Sequence, residues 1–195
     1  MCARYHPRMN AATLQSHHDA GLSYTDYLAT DPPKAAAWNT VHASVALDDA
    51  QKQLVGSFTR TMRVLCVSGI WCGDCAQQGP LLQRIAEGNP CIDLRWVDRD
   101  ERADLAEALM VNAGLRVPMV VFMAEDYEPV SFFGDRSLTR YRSIAARNLG
   151  GACPLPGATP PADELHATMQ DWLDEFERVH LLLRLSGRLR RQYGD

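Results

Sequence analysis

The chain has 195 residues, 46% of them hydrophobic, and a formal net charge of −4. That length can bury a real core in one domain with extensions, and the mild acidity argues against a broad nucleic-acid or membrane-binding surface. Six cysteines are present (Cys2, Cys66, Cys72, Cys75, Cys91 and Cys153), with a single close pair, too sparse for the framework of a secreted mini-protein. No stretch approaches a membrane span, and no apolar leader core follows Met1, so with Met1 as the true start a cytoplasmic location is expected.

In chain order, His17-His18-Asp19 comes first and, with His6 and Cys2, offers metal-ligand residue types. The segment lacks the punctuation that would fix four ligands in a tetrahedron, so no metal is expected there. Gly21 to Phe58 reads as a helix pair. Ser23 caps the first helix before Tyr24, Tyr27 and Leu28, Pro32-Pro33 breaks the chain, and an alanine-rich helix then runs from Ala35 to Leu54. Trp38, Val41, Val45 and Leu54 form a stripe at three-to-four spacing, expected to cover a sheet edge or face rather than serve as a docking surface.

The run Met62-Arg63-Val64-Leu65-Cys66-Val67, ended by Ser68-Gly69, predicts a strand buried on both faces. Trp71-Cys72-Gly73-Asp74-Cys75 follows, two thiols two residues apart at a predicted helix start. A helix N-terminus carries partial positive charge and free N–H donors, so it favours a thiolate, the attacking species in disulfide exchange. Zinc sites use the same spacing, so the pair alone also admits a metal site, with Cys72 and Cys75 joined by Cys66 or by a second subunit's pair.

The helix extends to Glu87 with Leu81, Leu82, Ile85 and Ala86 on one face, and Pro80 inside it must bend it. A second strand spans Ile92 to Val97, the charge run from Asp98 to Arg102 is a solvated helix start, and a short helix reaches Met110. Pro118 opens an apolar strand to Phe122, at a position where a proline need not donate to the ladder. His42, His166 and His180 are scattered on helices and read as solvent-facing or satisfied in the core.

Residues 150–157 are a turn-rich connector, and a long amphipathic helix is predicted from Ala162 to Leu189. Leu165, Met169, Trp172, Leu173, Phe176, Val179 and Leu183 form its apolar stripe. Acidic residues early and arginines late complement the helix dipole. The stripe packs on the same domain or pairs with a second subunit, so the chain is expected to be a monomer or a homodimer.

Between Thr61 and Leu149 the sequence resembles the thioredoxin family. Trp71 precedes the first cysteine, Pro80 lies five residues after the second, Val117-Pro118 resembles the family's cis-proline step, Asp126 sits between two strands, and Gly134 with Ser137 resembles the last strand-to-helix junction. With the Trp-Cys-Gly-Asp-Cys site and terminal helices, the chain is similar to a bacterial subgroup of thioredoxin-like proteins. The resemblance implies an α/β fold with a central mixed sheet flanked by helices, divided into an N-terminal helical extension (1–60), a thioredoxin-like core (61–149) and a linker with C-terminal helix (150–195). It further implies that Cys72 is the nucleophile, Cys75 the resolving thiol, and Trp71, Val117 and Pro118 the substrate platform.

Two departures bear on the chemistry. Cys66 stands where thioredoxins often bury an aspartate that relays protons to the resolving thiol, so that task falls to another group or to water; Cys66 itself reads as core packing. Asp74 stands where proline is usual. Its charge opposes the Cys72 thiolate and would push the couple toward the reducing end of the family's range, unless it simply caps the helix. Gly73, Asp74 and Cys66 are therefore candidate modulators of the dithiol.

The expected activity is thiol–disulfide exchange without a prosthetic cofactor. It acts on a disulfide-bonded protein or small thiol substrate and depends on an external recycling reductase. The rival from another class is a thioredoxin-like binding module whose dithiol does not turn over.

Overall fold

In the computed structural model, residues 9–149 and 161–194 are described. Cys2, His6, Cys153 and the 150–157 connector lie outside them. The described residues form four strands in the order β2-β1-β3-β4: β1 (Met62–Ser68), β2 (Ile92–Asp98), β3 (Met119–Met123) and β4 (Pro129–Gly134). β1 runs parallel to β2 and antiparallel to β3, and β3 pairs antiparallel with β4. This is a mixed sheet. Every β1 residue but Arg63 is buried, as expected of a central strand with both faces covered.

Four helices precede β1: α1 (Ala11–Asp19), α2 (Tyr24–Ala29), α3 (Pro32–Ser44) and α4 (Asp49–Gly56). The long central helix α5 spans Gly73–Glu87, α6 spans Ala103–Ala108, and α7 (Leu138–Leu149), α8 (Glu164–Leu185) and α9 (Gly187–Tyr193) complete the chain. No helix among the described residues is long and apolar enough to cross a membrane.

Three expectations are corrected here. The helix expected from Ala35 to Leu54 is two helices, because Asp48 and Gln51 form a capping box that starts α4 afresh. Pro32-Pro33 does not break the chain but begins α3, where a missing N–H costs nothing and Asp31 caps. The C-terminal helix stops at Ser186, whose hydroxyl accepts from the Leu189 N–H to cap α9.

The segment around His17-His18-Asp19, read as polar and unpunctuated, is instead helix α1, capped by Asn10. Its histidines are buried: His18 Nε2 lies 3.0 Å from the Asp93 carbonyl and His17 Nε2 3.3 Å from the Asp104 carboxylate. After α1, Leu22 exchanges two backbone hydrogen bonds with Trp96, which extends the sheet past β2 by one bridge and protects that edge.

Both terminal extensions are core structure. Trp38 on α3 and Trp172 on α8 are fully buried, and both reach α5, at adjacent residues. Trp38 lies over Gly79: a Cβ there would fall 2.1 Å from Trp38 Cζ3, so only glycine admits the ring. Trp172 donates its indole N–H to Gln78 Oε1 at 3.2 Å. Burying each ring is worth on the order of 4–6 kcal/mol as an upper bound.

The Trp38 stripe thus covers α5 as much as the sheet; Val41, Val45 and Leu54 are only half-buried. On α8, Met169, Trp172, Leu173, Phe176, Val179 and Leu183 are buried inside this chain, and Leu165 is half-buried.

Candidate active site

The chain turns out of β1 through Gly69 and Ile70 and delivers Cys72 to the start of α5. Cys72 occupies the N-cap with extended backbone (φ −85°, ψ 125°) and no side-chain cap bond, and the first N–H groups of the helix, those of Asp74 and Cys75, bear on its thiol. The Ile70 carbonyl, two residues upstream, accepts from the Trp38 indole at 3.1 Å, which ties this loop to the N-terminal extension. Pro80 lies inside α5, where it lacks the N–H that would bond the Ala76 carbonyl.

Cys72 is half-buried, Cys75 is fully buried, and both are free thiols. Their environments push their acidities apart. The Cys75 thiol, and next the backbone N–H groups of Cys75 and Asp74, stabilise the Cys72 thiolate against burial and bring its pKa down to about 6. Burial first, then the neighbouring Cys72 charge, push Cys75 well up. The lowered group is an acid, so its thiolate contributes stability that is lost as pH falls through about 6. Alkylation of Cys72 by iodoacetamide is expected to rise with a midpoint at about pH 6, read by peptide mapping; a midpoint near the ~8.5 of free cysteine would contradict this site.

The opposite wall is the loop before β3. Val117 and Pro118 are buried, the peptide between them is cis, and the Val117 carbonyl lies 3.9 Å from Cys72 Sγ. Trp71 remains 44% exposed beside the dithiol, with the Arg99 guanidinium 4.6 Å from its ring centroid. Arg99 also donates to the Leu115 carbonyl at 3.0 Å, and its backbone N–H donates to the Ser68 carbonyl at 2.8 Å. A residue read as part of a solvated charge run therefore braces Trp71 against the Pro118 loop.

Asp74 neither caps the helix nor stands as a free charge. Arg136 donates to it from Nε and Nη2 at 2.9 and 2.5 Å, and Arg140 Nη2 at 2.8 Å. Burial works to raise its pKa, but the two guanidiniums outweigh this and hold the carboxyl below its usual range. Its repulsion bears on Cys72 less than the Cys75 thiol and the backbone N–H groups of Cys75 and Asp74 do. Asp74 still opposes the Cys72 thiolate, but it does so as one member of ion pairs with arginines more than sixty residues away, which weakens the expected drift toward the reducing end.

Gln78 is the hidden support of the site. Fully buried, it donates to the Asp135 carbonyl at 3.1 Å and accepts from the Ser137 N–H and the Trp172 indole, each at 3.2 Å. It thereby joins α5, the turn after β4 and α8. The same turn holds Gly134 at φ +142°, where a Cβ would come within 2.3 Å of the Pro118 carbonyl oxygen. Glycine is needed there for both conformation and close approach.

Cys66 is fully buried in β1, opposite Trp96 and Val120 of the neighbouring strands, and burial pushes its thiol far up. Cys72, Cys75, Trp71, Val117 and Pro118 thus converge on one face, with Gly73 exposed in the first turn of α5. Among the described residues no group of three or more His, Cys, Asp or Glu side chains could hold a metal ion.

The Thioredoxin family model matches residues 21–144, well over half of the chain. The chain belongs to the thioredoxin family. Its fold is similar to that of a protein of unknown function from Pseudomonas aeruginosa, at 18% identity and a TM-score of 0.66, covering 91% of this chain and 99% of that one. It is also similar to an HIV epitope-scaffold, at 17% identity and a TM-score of 0.58 over 87% and 93% of the two chains. Mitochondrial thioredoxin 3 from Saccharomyces cerevisiae, in its oxidized form, aligns over 48% of this chain and 86% of its own, at 21% identity and a TM-score of 0.33. No curated protein matches the chain.

Proposed function

We propose that the protein is a thiol–disulfide oxidoreductase that reduces disulfides through Cys72 and Cys75. The observation that carries this reading is the inequality of the two thiols: a half-exposed, acidic Cys72 at a helix start, against a buried, weakly acidic Cys75 one turn inside. Cys72 thiolate attacks a substrate disulfide and forms a mixed disulfide as one substrate sulfur leaves. Cys75 then loses its proton and attacks Cys72 Sγ, forming the Cys72–Cys75 bond and releasing the second substrate thiol. Two electrons pass to the substrate, and an external thiol or flavoenzyme reductase returns them.

Trp71, next to Cys72 in the chain, is exposed, as is Leu115 two residues before Val117, and the Val117 backbone offers a pairing edge to an extended substrate segment. A reducing compartment such as the cytoplasm suits this direction of transfer.

A graded thiol/disulfide buffer, read through Trp71 fluorescence, tests the proposal. A reversible two-electron transition between the ~−270 mV of thioredoxin and the ~−200 mV of glutaredoxins is expected. No transition anywhere between about −270 and −120 mV would overturn it.

A further inference from the structure

The ion pairs that hold Asp74 continue away from the dithiol into a cavity with no assigned use. Arg140 gives one N–H to Asp74, at 2.8 Å, and one to a Glu164 oxygen; Arg147 donates to the other Glu164 oxygen at 3.1 Å. These residues wall an open cavity of about 380 Å³, within the ~300–1,000 Å³ of small-molecule sites. Arg140, Arg147, Glu164 and Gln77 form its polar side, Val41 and Leu165 its apolar side. Cations outnumber anions in the network, since Arg116, Arg136, Arg140 and Arg147 meet Asp74, Asp135 and Glu164. The surplus falls at the open end, where the Arg147 side chain is 56% exposed. Glu164 has an arginine on each oxygen, so its charge is answered within the wall. Arg140 is nine-tenths buried, and among the described residues its Nε–H has no acceptor. The wall therefore holds more donors than its own carboxylates use. The 22-residue helix α8 also starts here, adding the positive end of its dipole.

We propose that this cavity binds a small carboxylate with an apolar body, and that its occupant disfavours the Cys72 thiolate. The Arg147 guanidinium takes the carboxylate, with Gln77 and the start of α8 beside it, while Val41 and Leu165 meet the apolar part. A carboxylate answers the single surplus charge. Inorganic phosphate carries more charge and offers nothing to the apolar side. The coupling to Cys72 rests on the dithiol reading above. Arg140 is the bridge, because it lines the cavity and also holds Asp74, two residues from Cys72. An anion at Arg140 and Arg147 draws off part of the charge that offsets Asp74 and adds its own. Both effects oppose a thiolate at Cys72. By linkage the thiolate weakens carboxylate binding by the same factor, so the occupant prefers the chain with Cys72 protonated or in its disulfide.

Benzoate is the probe, with benzamide as its uncharged counterpart, titrated into the reduced full-length chain by calorimetry. One benzoate per chain is expected, with a Kd at or below about 1 mM, and no saturable benzamide. Arg147→Gln and, independently, Gln77→Glu should each weaken benzoate about tenfold, the first by removing the cation and the second by adding a carboxylate to the wall. Both residues are exposed, so neither change threatens the fold. Saturating benzoate should also raise the midpoint of Cys72 alkylation by about half a pH unit, the effect of one screened charge nearby, and Gln77→Glu should do so without benzoate. Absence of saturable benzoate binding, binding indifferent to both variants, or tighter binding of inorganic phosphate overturns the carboxylate site. Binding that both variants weaken, with an unmoved midpoint, overturns the coupling. A parent midpoint near the ~8.5 of free cysteine, without benzoate, overturns the dithiol reading instead.

Discussion

Cys72→Ser is expected to bring disulfide reduction to the uncatalysed background, a loss on the order of a thousandfold or more, because a serine hydroxyl at this helix start stays protonated and cannot attack sulfur. Cys75→Ser should differ in kind. Its Cys72 remains acidic enough to attack, so a mixed disulfide accumulates and survives quenching with an alkylating agent, where mass spectrometry counts it. Since Cys75 is the foremost group lowering the Cys72 pKa, the trapped form should build up more slowly below neutral pH than attack by the parent. The pair of outcomes also separates an enzyme from a binding module: in a module, Cys72→Ser would leave partner affinity unchanged and there would be no turnover to lose.

Gln78→Leu is expected to destabilise the fold by about 3–5 kcal/mol, a large share of the ~5–15 kcal/mol that holds a domain together. Leucine fills much of the volume but orphans the Asp135 carbonyl, the Ser137 N–H and the Trp172 indole, all in the interior. Each buried orphan costs about 1–3 kcal/mol, and the three share one partner, so their sum overstates the loss. Because the 134–137 turn abuts the Pro118 carbonyl, the change should also weaken substrate binding in any fraction that folds. Equilibrium urea unfolding measures the first effect, and a loss under 1 kcal/mol would show that the turn holds itself.

What could be read from the sequence was local. Met62 to Val67 announces a buried strand by composition alone, Pro118 marks a strand entrance, and the dithiol spacing needs no tertiary context. Two helix boundaries do have local signals: Asp48 with Gln51 three residues on is a capping box, and Ser186 before Gly187 both ends α8 and caps α9. Continuous apolar periodicity outweighed both. The remaining misses had no local signal. Asp74 meets Arg136 and Arg140 only after the sheet has brought the turn after β4 and the start of α7 to α5, and Tyr27 looks like any apolar helix residue until its ring packs against Trp38 and Trp96. Gln78 is one of two adjacent glutamines, Gln77 exposed and Gln78 buried, and nothing short of the position of Trp172 tells them apart. Arg99 looked solvated because its neighbours are, although its partners are the Trp71 ring and two carbonyls from other segments.

The central claim is that one pair of thiols delivers two electrons to a substrate, and a single turnover tests it most directly. The reduced chain is mixed in equal amount with insulin, quenched with an alkylating agent and mapped by mass spectrometry. The account predicts one substrate disulfide opened per chain, Cys72 and Cys75 joined to each other, and Cys66 still a free thiol. Intact insulin, or opened insulin beside a chain whose Cys72 and Cys75 are both alkylated, would contradict it.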